Sequence, residues 1–159
     1  FSLSSREADI AITLEQPEQG RLVSSKLTDY TLGLYASRRY VEAHGVPADA
    51  EQLKGHRRIG YVEDLIFSQS LNFTDEVMRH WNAGFEISSA IGQTEAFFGR
   101  ILHNYIARHH TDLVRVMPAI SLQRTYWTIF HESARDLARI RIVADFLHEV
   151  VRAERGDFA

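Results

Sequence analysis

Short apolar, β-rich runs alternate with helix-patterned stretches along nearly the whole of this chain, and that alternation narrows the fold class more than any other feature. Asp9-Ile-Ala-Ile-Thr-Leu14 and Tyr30-Thr-Leu-Gly-Leu-Tyr-Ala36 read as strands, with a turn at Gln16-Pro17-Glu18-Gln19-Gly20 between them. Ser37 is placed to cap a helix over Arg38–His44, which Gly45 and Pro47 stop. Asp49–Leu53 is a second capped turn of helix, and Arg58–Val62 a strand leading to the polar pair Glu63-Asp64. Thr74–Trp81 is predicted helical, Phe85–Ala90 a strand, and Gly92-Gln93-Thr94-Glu95 the opening of another helix. Leu113–Met117 and Thr125–Phe130 are the next strands, with Pro118 breaking the chain between them. From Ser133 to Arg152, Leu137, Ile140, Val143, Leu147 and Val150 recur at helical spacing, and Ile142, Phe146 and Val151 widen that face. Strands alternating with helices predict an α/β fold with mostly parallel sheets, in which ligands bind outside the carboxyl ends of strands.

Composition removes several classes of chemistry. With 159 residues there is chain enough for one domain or two small lobes, and the absence of cysteine excludes disulfides, thiolate metal sites and a cysteine nucleophile. A net charge of −3 offers no broad basic face for phosphates, so this chain by itself is not expected to bind DNA. No apolar run is long enough to span a bilayer and no export signal opens the chain, so the expected setting is cytoplasmic, away from membranes. The abrupt start at Phe1, with a strand a few residues on, leads us to expect a fragment.

Catalytic and cofactor motifs fare poorly. His103, His109 and His110 lack metal-ligand spacing, and the last two suit a solvated helix end; no metal is expected. Ser88-Ser89 lack the Gly-x-Ser-x-Gly turn that exposes a nucleophile, and Gly92 and Gly99 stand outside any phosphate-cradling loop. Asp75-Glu76 suit a helix start, while Glu63, directly after a strand, is the one nominee for acid or base work. Trp81, Tyr126 and Trp127 read as core or interface anchors. Neither enzyme activity nor a cofactor is therefore expected.

Taken in order, three stretches resemble the effector-binding domain of LysR-type transcriptional regulators: Ser5–Ile12, Leu27–Ser37 and Tyr40–Pro47. The resemblance continues through Leu53–His56, Arg58–Val62, Ile101–Ala107 and Leu113–Pro118, then Tyr126, Trp127, His131 and Arg139–Arg141, and so spans essentially the whole chain. It implies a periplasmic-binding-protein-like fold of type 2: two Rossmann-like lobes with mostly parallel sheets, joined by two crossover segments. The first lobe would take residues about 1–27 and 120–159, the second about 28–119. The family's earlier first-lobe strands and winged helix-turn-helix have no counterpart here, so the first lobe is expected to be incomplete at its N-terminus. Glu95–Ile101 is shorter than the family's Gly-rich turn, with the join at Phe97–Arg100.

The resemblance further implies a small-molecule effector, such as a small organic acid, an aromatic or an amino acid, held between the lobes. Effector binding would shift a homodimer or homotetramer and so control transcription, with promoter DNA contacted only through the missing domain. Thr13, Tyr61, Val62, Glu63, Gln93 and Thr94 are the expected effector-binding residues. Thr13 has a plainer reading as a strand-end hydroxyl, and Thr94 as a helix cap. The helix at Thr74–Trp81 is a candidate interface element. The alternative is a stand-alone two-lobed solute-binding protein, which would carry an export signal and a complete first lobe.

Overall fold

A computed structural model describes residues 8–17, 20–56, 58–61, 83–87 and 100–158. Its elements are β1 (Ile10–Thr13), β2 (Leu22–Ser37), α1 (Arg38–His44), α2 (Ala50–Leu53), β3 (Arg58–Tyr61), β4 (Ala83–Ile87), β5 (Arg100–His103), α3 (Asn104–Ala107), β6 (Leu113–His131), α4 (Ala138–Ala153) and α5 (Arg155–Phe158). β1, β6, β2 and β5 form a four-stranded sheet in that order, and β3 and β4 a two-stranded one. The fold is α/β, as the alternation predicts. Parallel pairing is found in β3–β4, whereas β1–β6 and β2–β5 pair antiparallel, Ile10 opposite Phe130 and Leu32 opposite His103. An apolar run reads the same in either direction, so pattern alone does not distinguish the two. The expected helices at Thr74–Trp81 and after Gly92, and all of the join at Phe97–Arg100 but Arg100, which opens β5, lie outside the described residues.

The chain divides into two compact units, one holding the described residues up to Tyr30 and from Gln123 on, the other Thr31–Leu122. β2 and β6 each pass from one unit into the other.

In the second unit, β2 is buried without interruption from Leu32 to Ser37. Successive residues of a strand face opposite sides, so both faces are covered here. Leu34 and Ala36 pack with Tyr40 of α1, Leu53 of α2 and Val116 of β6, while Tyr35 packs with Leu102 of β5 and Ala107 of α3. Local signals fix the two covering helices. The Ser37 hydroxyl accepts from Tyr40 N–H at 3.2 Å to open α1, and Gly45, at φ 76°, closes it by donating to the Val41 carbonyl at 2.8 Å. The Asp49 carboxylate accepts from Gln52 N–H at 2.9 Å to open α2.

In the first unit, Tyr30 of β2 stacks on Tyr126 of β6, ring centroids 4.2 Å apart. Beside this stack the Asp29 carboxylate accepts from the Thr125 hydroxyl and the Lys26 ammonium, each at 2.6 Å, and these bonds hold its pKa below the usual carboxylate value. Thr128 is fully buried, and its hydroxyl has no hydrogen-bond partner among the described residues.

Further features depart from the pattern-based reading. β2 begins at Leu22 rather than near Tyr30, because Ser24, Ser25 and Lys26 interrupt the apolar signal while the backbone still pairs. β6 runs through Pro118 unbroken; Pro118 is exposed, and Met117 before it takes φ 48°, which absorbs the irregularity. α4 opens at Ala138 rather than Ser133, since Glu132–Ala134 form a 3₁₀ turn and Leu137 is extended. Finally, the face of α4 that is covered is rotated from the expected one. Ile140 is buried and Leu147 and Val151 half-buried, with His148 Nε2 3.2 Å from the Ser25 hydroxyl, but Leu137, Ile142, Val143, Phe146 and Val150 are exposed.

Candidate functional site

Thr13 closes β1 opposite Trp127 of β6. Its side chain is half-buried and the hydroxyl donates to the Glu15 carbonyl at 2.8 Å. The donor is thereby used and the oxygen lone pairs remain, so Thr13 can receive a hydrogen bond from a ligand but not readily give one. Tyr61 is the last residue of β3, beside Ile87 of β4 in a parallel pair. The carboxyl ends of parallel strands are where open α/β sheets hold ligands. Thr13 and Tyr61 fall in different units. Val62, Glu63, Gln93 and Thr94 lie outside the described residues.

A polar cluster that periodicity does not single out is built around Asn104, where β5 turns into α3. Its amide is buried and engaged at both ends: Oδ1 accepts from the Tyr35 phenol at 2.8 Å, and Nδ2 donates to the Thr31 hydroxyl at 2.6 Å. Gly33 lies between them on β2, and a Cβ there would stand 2.9 Å from Asn104 Oδ1 and 3.1 Å from Arg115 Nε. The backbone is thus pressed against the amide, and only glycine leaves it room. Burial raises the Tyr35 phenol above its ordinary pKa despite the Arg115 and Arg108 charges, so it stays a neutral donor. The signal in the sequence is the polar pair His103-Asn104 within the otherwise apolar and aromatic run Ile101–Ala107.

His103, one residue earlier, is pushed down from 6.5 to about 4 by burial. Since its folded value lies below the unfolded one, its stabilising contribution is complete above pH 6.5 and is lost as the pH falls toward 4. The chain is therefore expected to lose more stability over that interval than His103→Asn, as read from urea midpoints at each pH; parallel curves would contradict this.

These groups donate and accept hydrogen bonds. Among the described residues, no three carboxylate or imidazole groups converge as a metal site would require. No helix among them is long and apolar enough to cross a membrane.

A family model described as the LysR substrate binding domain matches residues 2–152. The HTH-type transcriptional regulator CrgA of Neisseria meningitidis serogroup C (strain 8013) is 34% identical over 63 residues, which cover 40% of this chain and 21% of CrgA. The chain thus matches about a fifth of that relative's length. Among solved structures, the CrgA regulatory domain from Neisseria meningitidis superposes with a TM-score of 0.79 at 21% identity, over 92% of this chain and 77% of that one. The regulatory domain of Synechocystis PCC6803 CcmR in complex with 2-PG gives 0.71 at 15% identity, over 93% and 76%.

Proposed function

The chain belongs to the LysR substrate-binding domain family, and from that premise we propose that it senses a small-molecule effector for a LysR-type transcription regulator. The observation that carries the proposal is the match of 151 consecutive residues, 2–152, to the family model. The similar fold of a regulatory domain solved in complex with 2-PG supports it. The relatives bearing names are transcription regulators, so nothing favours the reading as a stand-alone solute-binding protein.

In this reading residues of about 1–27 and 120–159 form the first lobe and about 28–119 the second, with the effector between them. Thr13 accepts a hydrogen bond from one side; Tyr61, Val62 and Glu63 at one strand end, and Gln93 and Thr94 at a helix start, supply the other. Such a site suits a small organic acid, an aromatic or an amino acid. An effector with unequal affinity for two lobe arrangements shifts their populations by that difference, typically ~1–3 kcal/mol of coupling. The shift passes to a homodimer or homotetramer, and to promoter DNA through a separate helix-turn-helix domain, in the cytoplasm. No chemical step is required of the protein.

Isothermal titration of the effector against Thr13→Val, Glu63→Gln and Thr94→Val tests the site. Each variant is expected to weaken binding several-fold without lowering the unfolding temperature of the free chain. Unchanged affinity in all three would remove these residues from the site.

A further inference from the structure

Thr31, Gly33 and Tyr35 alternate along β2 and so share one face of the second unit's sheet. β5 and β6 flank β2; the first delivers Asn104 just past its end, and the second carries Arg115. With no side chain on Gly33, the two meet above it. The point a Cβ would occupy lies 2.9 Å from Asn104 Oδ1 and 3.1 Å from Arg115 Nε. Among the described residues Asn104 is buried, Thr31 half-buried and Arg115 exposed, so the cluster deepens from Arg115 inward.

This cluster holds more donors than acceptors. Asn104 Oδ1 is taken by the Tyr35 phenol, and one hydrogen of its Nδ2 goes to the Thr31 hydroxyl, which leaves the second amide hydrogen. Thr31 accepts that bond, so its own hydroxyl hydrogen turns elsewhere. The Arg115 guanidinium reaches only the Pro118 carbonyl, at 3.5 Å the outer limit of a hydrogen bond. Among the described residues no carboxylate pairs with Arg115, and no acceptor meets the spare hydrogens of Asn104 and Thr31. A buried donor without an acceptor costs free energy, so the arrangement calls for a group that only accepts and carries negative charge. A carboxylate does both, and its planar pair of oxygens matches the guanidinium fork.

We propose that Arg115, Asn104 and Thr31 form a seat for the carboxylate of a small organic acid within the second unit. Arg115 takes the carboxylate in its fork, while Asn104 Nδ2 and the Thr31 hydroxyl donate to it from the inner side. Tyr35 does not touch the ligand; by holding Asn104 Oδ1 it fixes which way the amide faces, and it is a positioning residue. The single charge of Arg115 balances the single charge of a carboxylate. This seat is separate from Thr13, which lies in the first unit and accepts a hydrogen bond rather than giving one. The proposal rests on these contacts and not on the effector reading.

Nuclear magnetic resonance titration of the chain with sodium acetate, with sodium sulfate and sodium chloride at equal ionic strength alongside, tests it. Acetate is expected to shift the side-chain resonances of Asn104 Nδ2 and Arg115 Nε together and saturably, at one site per chain. Arg115→Gln is expected to weaken acetate binding roughly tenfold or more, the loss of a charge-assisted pair, without changing the far-ultraviolet circular dichroism. Arg115→Lys keeps the charge without the fork and is expected to lose several-fold. Tyr35→Phe releases the Asn104 amide and is expected to weaken binding in the same direction, whereas Thr13→Val leaves it unchanged. Chloride moving these resonances as far as acetate, tighter binding of sulfate than of acetate, acetate affinity that survives Arg115→Gln, or its loss in Thr13→Val would each overturn the proposal.

Discussion

Replacing Leu34 by Ala is expected to destabilise the chain by ~2–5 kcal/mol, a large share of the ~5–15 kcal/mol that holds a typical domain folded. Leu34 is 0% exposed and sits in the cluster with Ala36, Tyr40, Leu53 and Val116. The site collapses poorly. Ser37 and Gly45 hold α1 at both ends, the Tyr40 phenol lies 3.0 Å from His56 Nδ1, and a small apolar hollow, open in part to solvent, already borders Leu34. Lost transfer energy and an enlarged cavity therefore add. Urea denaturation followed by far-ultraviolet circular dichroism reads the loss against Ile142→Ala, whose exposed side chain should change stability by less than about 0.5 kcal/mol. Equal losses for the two variants would show that Leu34 is not in the core.

In the other unit, Tyr30→Ala is expected to cost ~3–5 kcal/mol, the range for truncating a buried aromatic. Tyr30 is 2% exposed, and its ring lies 4.2 Å from that of Tyr126 at an interplanar angle of 20°. Tyr30→Phe keeps the ring and should retain most of the stability. The cycle of Tyr30→Ala, Tyr126→Ala and the double variant should return a coupling of ~0.5–1.5 kcal/mol, the part that stacking adds to burial. A coupling near zero would show that the rings are neighbours without mutual stabilisation.

What the sequence discloses and what it conceals divide along physical lines. Where a local rule suffices, the reading holds: Ser37 and Gly45 bound α1, and Asp49 opens α2, because caps act within one turn of chain. Where pairing at a distance decides, the reading falls short. The first half of β2 is strand although Ser24, Ser25 and Lys26 carry no apolar signal, and β6 continues past Pro118 because neighbouring strands hold it. β5, at four residues, is too short to show alternation. Spacing in α4 reveals an amphipathic helix but not which of its two apolar stripes meets the sheet, since Ile140 and Ile142 look alike until burial separates them. Among the proposed effector contacts, Thr13 is legible as a polar residue ending an apolar strand. Asn104 is not, because its importance comes from Tyr35 and Thr31, some seventy residues away in the chain, with separations of 69 and 73.

Thermal denaturation of the chain against a panel of small organic acids, aromatic compounds and amino acids tests effector sensing most directly. A ligand that binds only the folded state stabilises it by RT ln(1 + [L]/Kd), ~2.7 kcal/mol at a hundredfold excess over Kd, or roughly 5–10 °C for a chain of this size. At least one compound is expected to raise the unfolding temperature by that order, saturably, with the shift reduced in Thr13→Val. A cooperative transition that no compound of the three classes moves, even at millimolar concentration, would contradict the account.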